Sequence, residues 1–158
     1  MTECQRMAEL YRSVYEGDNG EAWHGPALLP LLQNVTAEQA SLTPVPGVHS
    51  ILQLVLHLGY WEEVVLRRFS GELANAALND ENDWPRNRPV SAEEWKAALL
   101  RLDRSHNALQ TAIESGVDDR LNEKVVGRDY SLYTLLHGII DHCVYHSAQI
   151  ALLKKAIG

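Results

Sequence analysis

Three places where a Ser or Thr is followed three residues later by Gln or Glu stand out along this chain: Thr36 with Gln39, Ser50 with Gln53, and Ser91 with Glu94. In such a box the two side chains satisfy, reciprocally, backbone N–H groups that the first turn of a helix leaves without partners, so each box marks a helix start. The boxes at Ser50 and Ser91 lead into long runs in which apolar residues recur every three to four positions, and these predict helices over about 50–70 and 91–115. The box at Thr36 runs soon into Pro44 and Pro46 and predicts a short turn of helix only. A first helical segment over about 2–16 is interrupted by Gly17, Gly20, Gly25 and Pro26 and resumes over 28–34. A last one spans about 131–156, where Lys154 and Lys155 suit the negative end of the helix dipole. The fold class is therefore all-α, with a four-helix bundle as first choice. Residues 71–90, which include Asn75, Asn79, Asn82, Trp84, Pro85 and Pro89, form a long connection between the second and third bundle helices. A loop of that length is lid-like and frees the topology from simple up-down-up-down order. Residues 116–129 contain Val125-Val126, read as extended chain or a very short strand.

At 158 residues the chain predicts one domain, 1–158. A net charge of -7 and the lack of a basic face argue against a nucleic-acid partner and against docking on anionic lipid. No apolar stretch reaches the ~18 residues of a membrane span, because Gln53, His57, Glu62 and Glu63 interrupt the most apolar segment. The first residues show neither a basic region nor an apolar one of the secretory kind, so a cytoplasmic location is expected. Cys4 and Cys143 do not make a disulfide framework, and Cys143 reads as a buried, inert thiol.

Histidine placement carries the functional reading. On the last helix Leu135, Ile139, His142, His146, Ile150 and Leu153 follow three- and four-residue steps, so two imidazoles one turn apart lie on an otherwise apolar face. Rings at i and i+4 can both reach one ion at about 2.0–2.1 Å. On the second bundle helix His57 sits among Leu54, Tyr60, Trp61 and Val64, where an unpartnered imidazole would cost about 1–3 kcal/mol. A metal shared by His57, His142 and His146 would supply the partner; a core histidine bonded to a carbonyl is the structural alternative for each.

The run Leu136-His137-Gly138-Ile139-Ile140-Asp141-His142-Cys143-Val144-Tyr145-His146-Ser147-Ala148-Gln149-Ile150 resembles the C-terminal helix of the DinB/YfiT-like metalloprotein family. His57-Leu58-Gly59-Tyr60-Trp61-Glu62 is similar to that family's second-helix signature, and the likeness extends from about Trp23 to Gly158. The resemblance implies a four-helix bundle of up-down-down-up order, a homodimer, and a divalent transition metal on His57, His142 and His146. Nickel or zinc comes first, then iron or manganese. It also implies a small-molecule substrate, with thiol-dependent S-transfer or isomerisation using a low-molecular-weight thiol, or hydrolysis, as the reaction types. A non-catalytic, stress-associated metal- or small-molecule-binding bundle is the alternative. Ser147 and Ala148 depart from residues common in relatives, which bears on the substrate side rather than on the ligands.

The other histidines read differently. His106 falls on the core stripe of the third bundle helix, His24 lies at a helix break, His49 precedes a cap and is expected exposed, and His137 faces away from His142 as a packing or dimer-contact residue. Asp141 points about 100° from His142. Glu62 is expected to be a solvated charge, with orientation of a ligand imidazole as its other reading. Trp61 and Tyr145 are expected to pack, with the Tyr145 hydroxyl near the site; Gln149 is expected to bond at the helix interface, and Trp84 to pack or to roof the pocket.

Overall fold

The structure, a computed structural model, describes residues 1–158. It is mostly helical: α1 (Glu3–Tyr15), a hairpin of β1 (Glu21–Ala22) and β2 (Gly25–Pro26), α2 (Leu28–Leu32), α3 (Ala37–Ser41), α4 (Ile51–Phe69), α5 (Ala92–Glu114), a 3-10 turn (Asp118–Asn122) and α6 (Leu132–Ile157). Each predicted box forms with both of its hydrogen bonds, at the starts of α3, α4 and α5. A fourth box, Thr2 with Gln5, opens α1. Both carboxyl oxygens of Asp118 also accept bonds there, from the amides of Glu3 and Cys4, so the first turn of α1 is capped from across the fold as well as locally.

Gly17 ends α1 at φ 71°, and a Cβ there would meet the backbone of Glu21 at 2.6 Å. Only glycine accepts both the conformation and the closeness of the chain as it turns into the hairpin. The predicted segment 28–34 stops at Leu32, because Gln33 is extended and Asn34 takes a positive φ. The expected strand around Val125 amounts to a single bridge, Lys124 with Ser131.

α4 packs on α5 and α6, and α1 packs on the same two helices. Gly59 of α4 lies against Leu102 of α5, while Phe69 lies near Gly116 just past the end of α5. Arg68 of α4 bonds Tyr130 just before α6, while His57 meets His142 further along it. One apolar cluster, including Tyr11, Leu54, Leu58, Leu102, Leu136 and Ile150, runs through all four long helices. No helix is long and apolar enough to cross a membrane. Residues 71–90 form no helix or strand and lie over α4, held by Asp83 and Gln53.

Candidate metal centre

His57 on α4 and His142 and His146 on α6 come together. The Nε2 atom of His142 lies 3.0 Å from that of His57 and 3.0 Å from that of His146. The three ligand atoms all fall within 4.8 Å of one another. Nitrogens bound to one ion at about 2.0–2.1 Å would sit about 2.9–3.4 Å apart, depending on tetrahedral or octahedral angles. The shorter separations match that range without rearrangement.

The opposite ring atoms decide which way the lone pairs point. Nδ1 of His57 donates to Asp83, whose backbone and carboxyl oxygens each lie at 2.9 Å. Nδ1 of His146 donates to Gln149 Oε1 at 2.6 Å. Both neutral rings therefore carry a bare lone pair at Nε2, and the two aim at the space beside His142. His142 can offer a proton to one neighbour at most, while its own Nδ1 is buried without a partner. Packed alone, the trio leaves lone pairs facing one another; around a cation the same arrangement is complementary.

Burial, and then the neighbouring imidazoles, push the His142 pKa down from the ordinary 6.5 to about 3. Burial likewise lowers His146 to about 4, against the opposing bond from Gln149. His57 is lowered too, mainly by burial, with Asp83 acting in the other direction. Such a set holds its imidazoles neutral, which is the form that binds metal. In the metal-free protein the unfolded chain takes up these protons near pH 6.5 and the folded chain only near 4 and below. Stability should be full above about 6.5 and fall as the pH drops toward 4. Urea titrations of chelator-treated protein at pH 7 and pH 5 measure this, and equal midpoints would contradict it.

Asp83 is the residue that sequence reasoning missed. Its Oδ1 also accepts the Trp61 indole N–H at 2.7 Å, and its Oδ2 accepts the Asn79 amide at 2.7 Å. One nearly inaccessible carboxyl group thus fixes the loop to α4 and sets the tautomer of His57. Trp84, next in sequence, is stacked between His57 and His49, each centroid at 3.7 Å. Trp84 roofs the histidines, and His49 is half-buried against it rather than exposed. Replacing Asp83 by Ala should weaken metal binding about 10–100-fold. Competition against a chromophoric chelator reads this directly, and an unchanged affinity would remove Asp83 from the centre.

Glu62 corrects both of its expected roles. It is 1 % exposed, accepts bonds from Tyr11 Oη at 2.6 Å and Ser105 Oγ at 2.5 Å, and faces His106 rather than any of the clustered histidines. His106 is buried, stacked on Tyr15, and belongs to this separate cluster. His24 is exposed on the hairpin, and His137 packs beside Tyr133. Tyr145 is 63 % exposed, with its ring edge-on to His146. Gln149 bonds His146 rather than a neighbouring helix. Cys143 is buried, its Sγ near the Val14 carbonyl, and burial raises its pKa strongly, so the thiol is unreactive.

A cavity of about 500 Å³ opens beside the trio, lined by His57 and His142 and by apolar groups including Val65, Leu135 and Ile139. It is large enough for a small organic molecule. A family model described as the DinB superfamily matches residues 22–150 of the chain. No curated protein and no solved structure gives a significant match.

Proposed function

The chain belongs to the DinB superfamily, and from that premise we propose a metal-dependent enzyme acting on small molecules, with His57, His142 and His146 as the ligands of one divalent transition ion. The observation that carries this reading is the convergence of three Nε2 atoms, two of them with lone pairs fixed by partners at Nδ1, at the edge of an apolar cavity. Imidazole donors suit zinc, nickel, copper and iron alike; the family resemblance puts nickel or zinc first, with iron or manganese next. His57, His142 and His146 would hold the ion, and it would supply Lewis acidity able to make a thiol or a water more acidic.

The chain's own residues do the rest. Asp83 and Gln149 orient the histidine rings, Trp84 covers one face of His57, and the apolar walls offer a surface for the body of a small molecule. The acidic side chain lining the cavity is Asp83, and it is committed to His57, Trp61 and Asn79. No free carboxylate stands ready as a general base. That favours chemistry with a thiol, whose ordinary pKa of about 8.5 needs little help, over hydrolysis of a demanding bond. The same observation favours, as a second reading, a bundle that binds metal or a small molecule without turning it over.

An up-down-down-up bundle belongs to this reading. The pairs Gly59 with Leu102 and Phe69 with Gly116 support parallel α4 and α5, and Arg68 with Tyr130 and His57 with His142 support α6 antiparallel to α4. A homodimer and a cytoplasmic location complete it.

Elemental analysis of purified protein, followed by conjugation assays pairing small thiols with electrophiles before and after chelation and reloading, tests the proposal. Metal-dependent turnover is the expected result. Stoichiometric metal without turnover selects the binding reading, and protein that takes up no divalent metal overturns both.

A further inference from the structure

The cavity has a second polar end. His57, Trp61, Val65 and Arg68 follow steps of four, four and three along α4, so they share one face, and all four line the cavity. Arg68 is three turns beyond His57, about 16 Å along the helix axis. Between them stands Trp61, its ring centroid 5.7 Å from the Arg68 guanidinium carbon and 6.5 Å from the His142 ring.

Arg68 is 6 % exposed, yet none of the protein's ion pairs includes it. Its Nε donates to the Ala74 carbonyl and its Nη1 to the Tyr130 hydroxyl, both neutral acceptors, and Nη2 has no protein partner. A buried guanidinium without a counter-charge is costly, and such a group is ordinarily paired. The Thr134 side chain lines the cavity too. Opposite, on α6, Gly138 leaves open space where a Cβ would stand.

From this juxtaposition we infer that the cavity takes an organic anion, with Arg68 binding its carboxylate or other anionic head, the apolar walls holding its body, and the far end of the molecule directed toward the histidines. The inference rests on the cavity of the proposed function and narrows its substrate class; it does not require that a metal be bound. A guanidinium fork already donating to two neutral acceptors still presents Nη2, and an anion there adds the opposite charge that neither present acceptor supplies. Trp61 screens the cation from the histidine end by facing it with its ring.

The test uses 4-phenylbutyrate, the matching phosphonate and the matching neutral alcohol as probes, titrated calorimetrically into the full chain, with metal content measured on the same samples. At least one acid should bind at least about tenfold more tightly than the alcohol, as expected for an ion pair with a buried guanidinium; the acid that binds more tightly identifies the head group. The preference should persist after chelation and disappear in Arg68→Met, while the alcohol's affinity is unchanged. Gly138→Leu, which leaves Arg68 in place but fills the cavity, should abolish binding of all three probes. Equal affinity for acids and alcohol, absence of acid binding, a preference that survives Arg68→Met, or acid binding retained in Gly138→Leu would each overturn the inference. A preference lost on chelation and kept in Arg68→Met would place the acid on the metal, refuting the role of Arg68 while upholding the metal centre. A preference lost only in Arg68→Met, in protein that holds no metal, would do the reverse.

Discussion

Replacing His142 by Leu is expected to reduce bound metal from about one ion per chain to almost none, while leaving the metal-free protein as stable as the parent or more so. The two halves of that result have different origins. His142 is the shared neighbour, 3.0 Å from each of the other ligand atoms, and its loss leaves two imidazoles on different helices. Losing a partner that merely orients a ligand weakens metal binding about 10–100-fold, so losing a ligand should exceed the upper end of that range. In the absence of metal, however, this ring is a liability. It is substantially buried, its Nδ1 has no partner, and burial and its neighbours oppose its protonation so strongly that its pKa falls to about 3. An unsatisfied buried polar group costs about 1–3 kcal/mol, and an apolar side chain of similar size removes that cost. Metal stoichiometry by elemental analysis and urea unfolding of chelated protein measure the two effects separately. A variant that keeps its metal, or one that unfolds much more readily when chelated, would contradict this account of the centre.

The second large effect lies away from the cavity. Glu62→Ala should destabilise the fold by about 2–4 kcal/mol, since it strands buried hydroxyl donors and opens a hole between helices. Tyr11 from α1 and Ser105 from α5 both donate to this carboxyl group, and His106, stacked on Tyr15, lies 3.4 Å from it. Burial first, and then Glu62, push the Tyr11 pKa up, so the phenol remains a donor throughout the ordinary pH range. A chain of this length loses roughly 2–4 °C in Tm per kcal/mol. Thermal unfolding should therefore shift by roughly 4–16 °C. Glu62→Gln, which keeps an oxygen acceptor and the volume, should lose roughly half as much. Metal content should be unchanged in both variants; a loss of metal would mean that the cluster supports the histidines after all.

The clustering of the three histidines was legible because they sit on long helices, where the 3.6-residue repeat converts position into direction. His142 and His146 lie on the same apolar stripe as Ile139 and Ile150, and only one buried face was open to them. Helix starts were legible for a related reason: a box is a local chemical statement, complete within four residues. Glu62 was misread because direction alone does not say what lies opposite. Five residues on from His57, it points about 140° round the helix, toward α1 and α5, whose hydroxyl donors no single-helix pattern reveals. Asp83 was invisible for a different reason. It lies in a loop without period, and its partners His57, Trp61 and Asn79 are gathered by the path of the chain rather than by spacing. The 3-10 turn at Asp118–Asn122 was missed likewise, since its strongest tie is to the far end of the chain at Glu3 and Cys4.

The double attachment of Asp83 has a kinetic corollary. The carboxyl group that anchors the loop at Asn79 also accepts the hydrogen bond from Nδ1–H of His57, so lifting this flap would take away the acceptor that keeps the His57 ring turned toward His142. Admission of a bulky guest and retention of any ion held by the histidines would thereby be set against each other, through a single side chain. If the three histidines hold an ion, a chain built this way would trade rapid exchange of large molecules against tight retention of that ion, each widening of the doorway loosening the grip behind it.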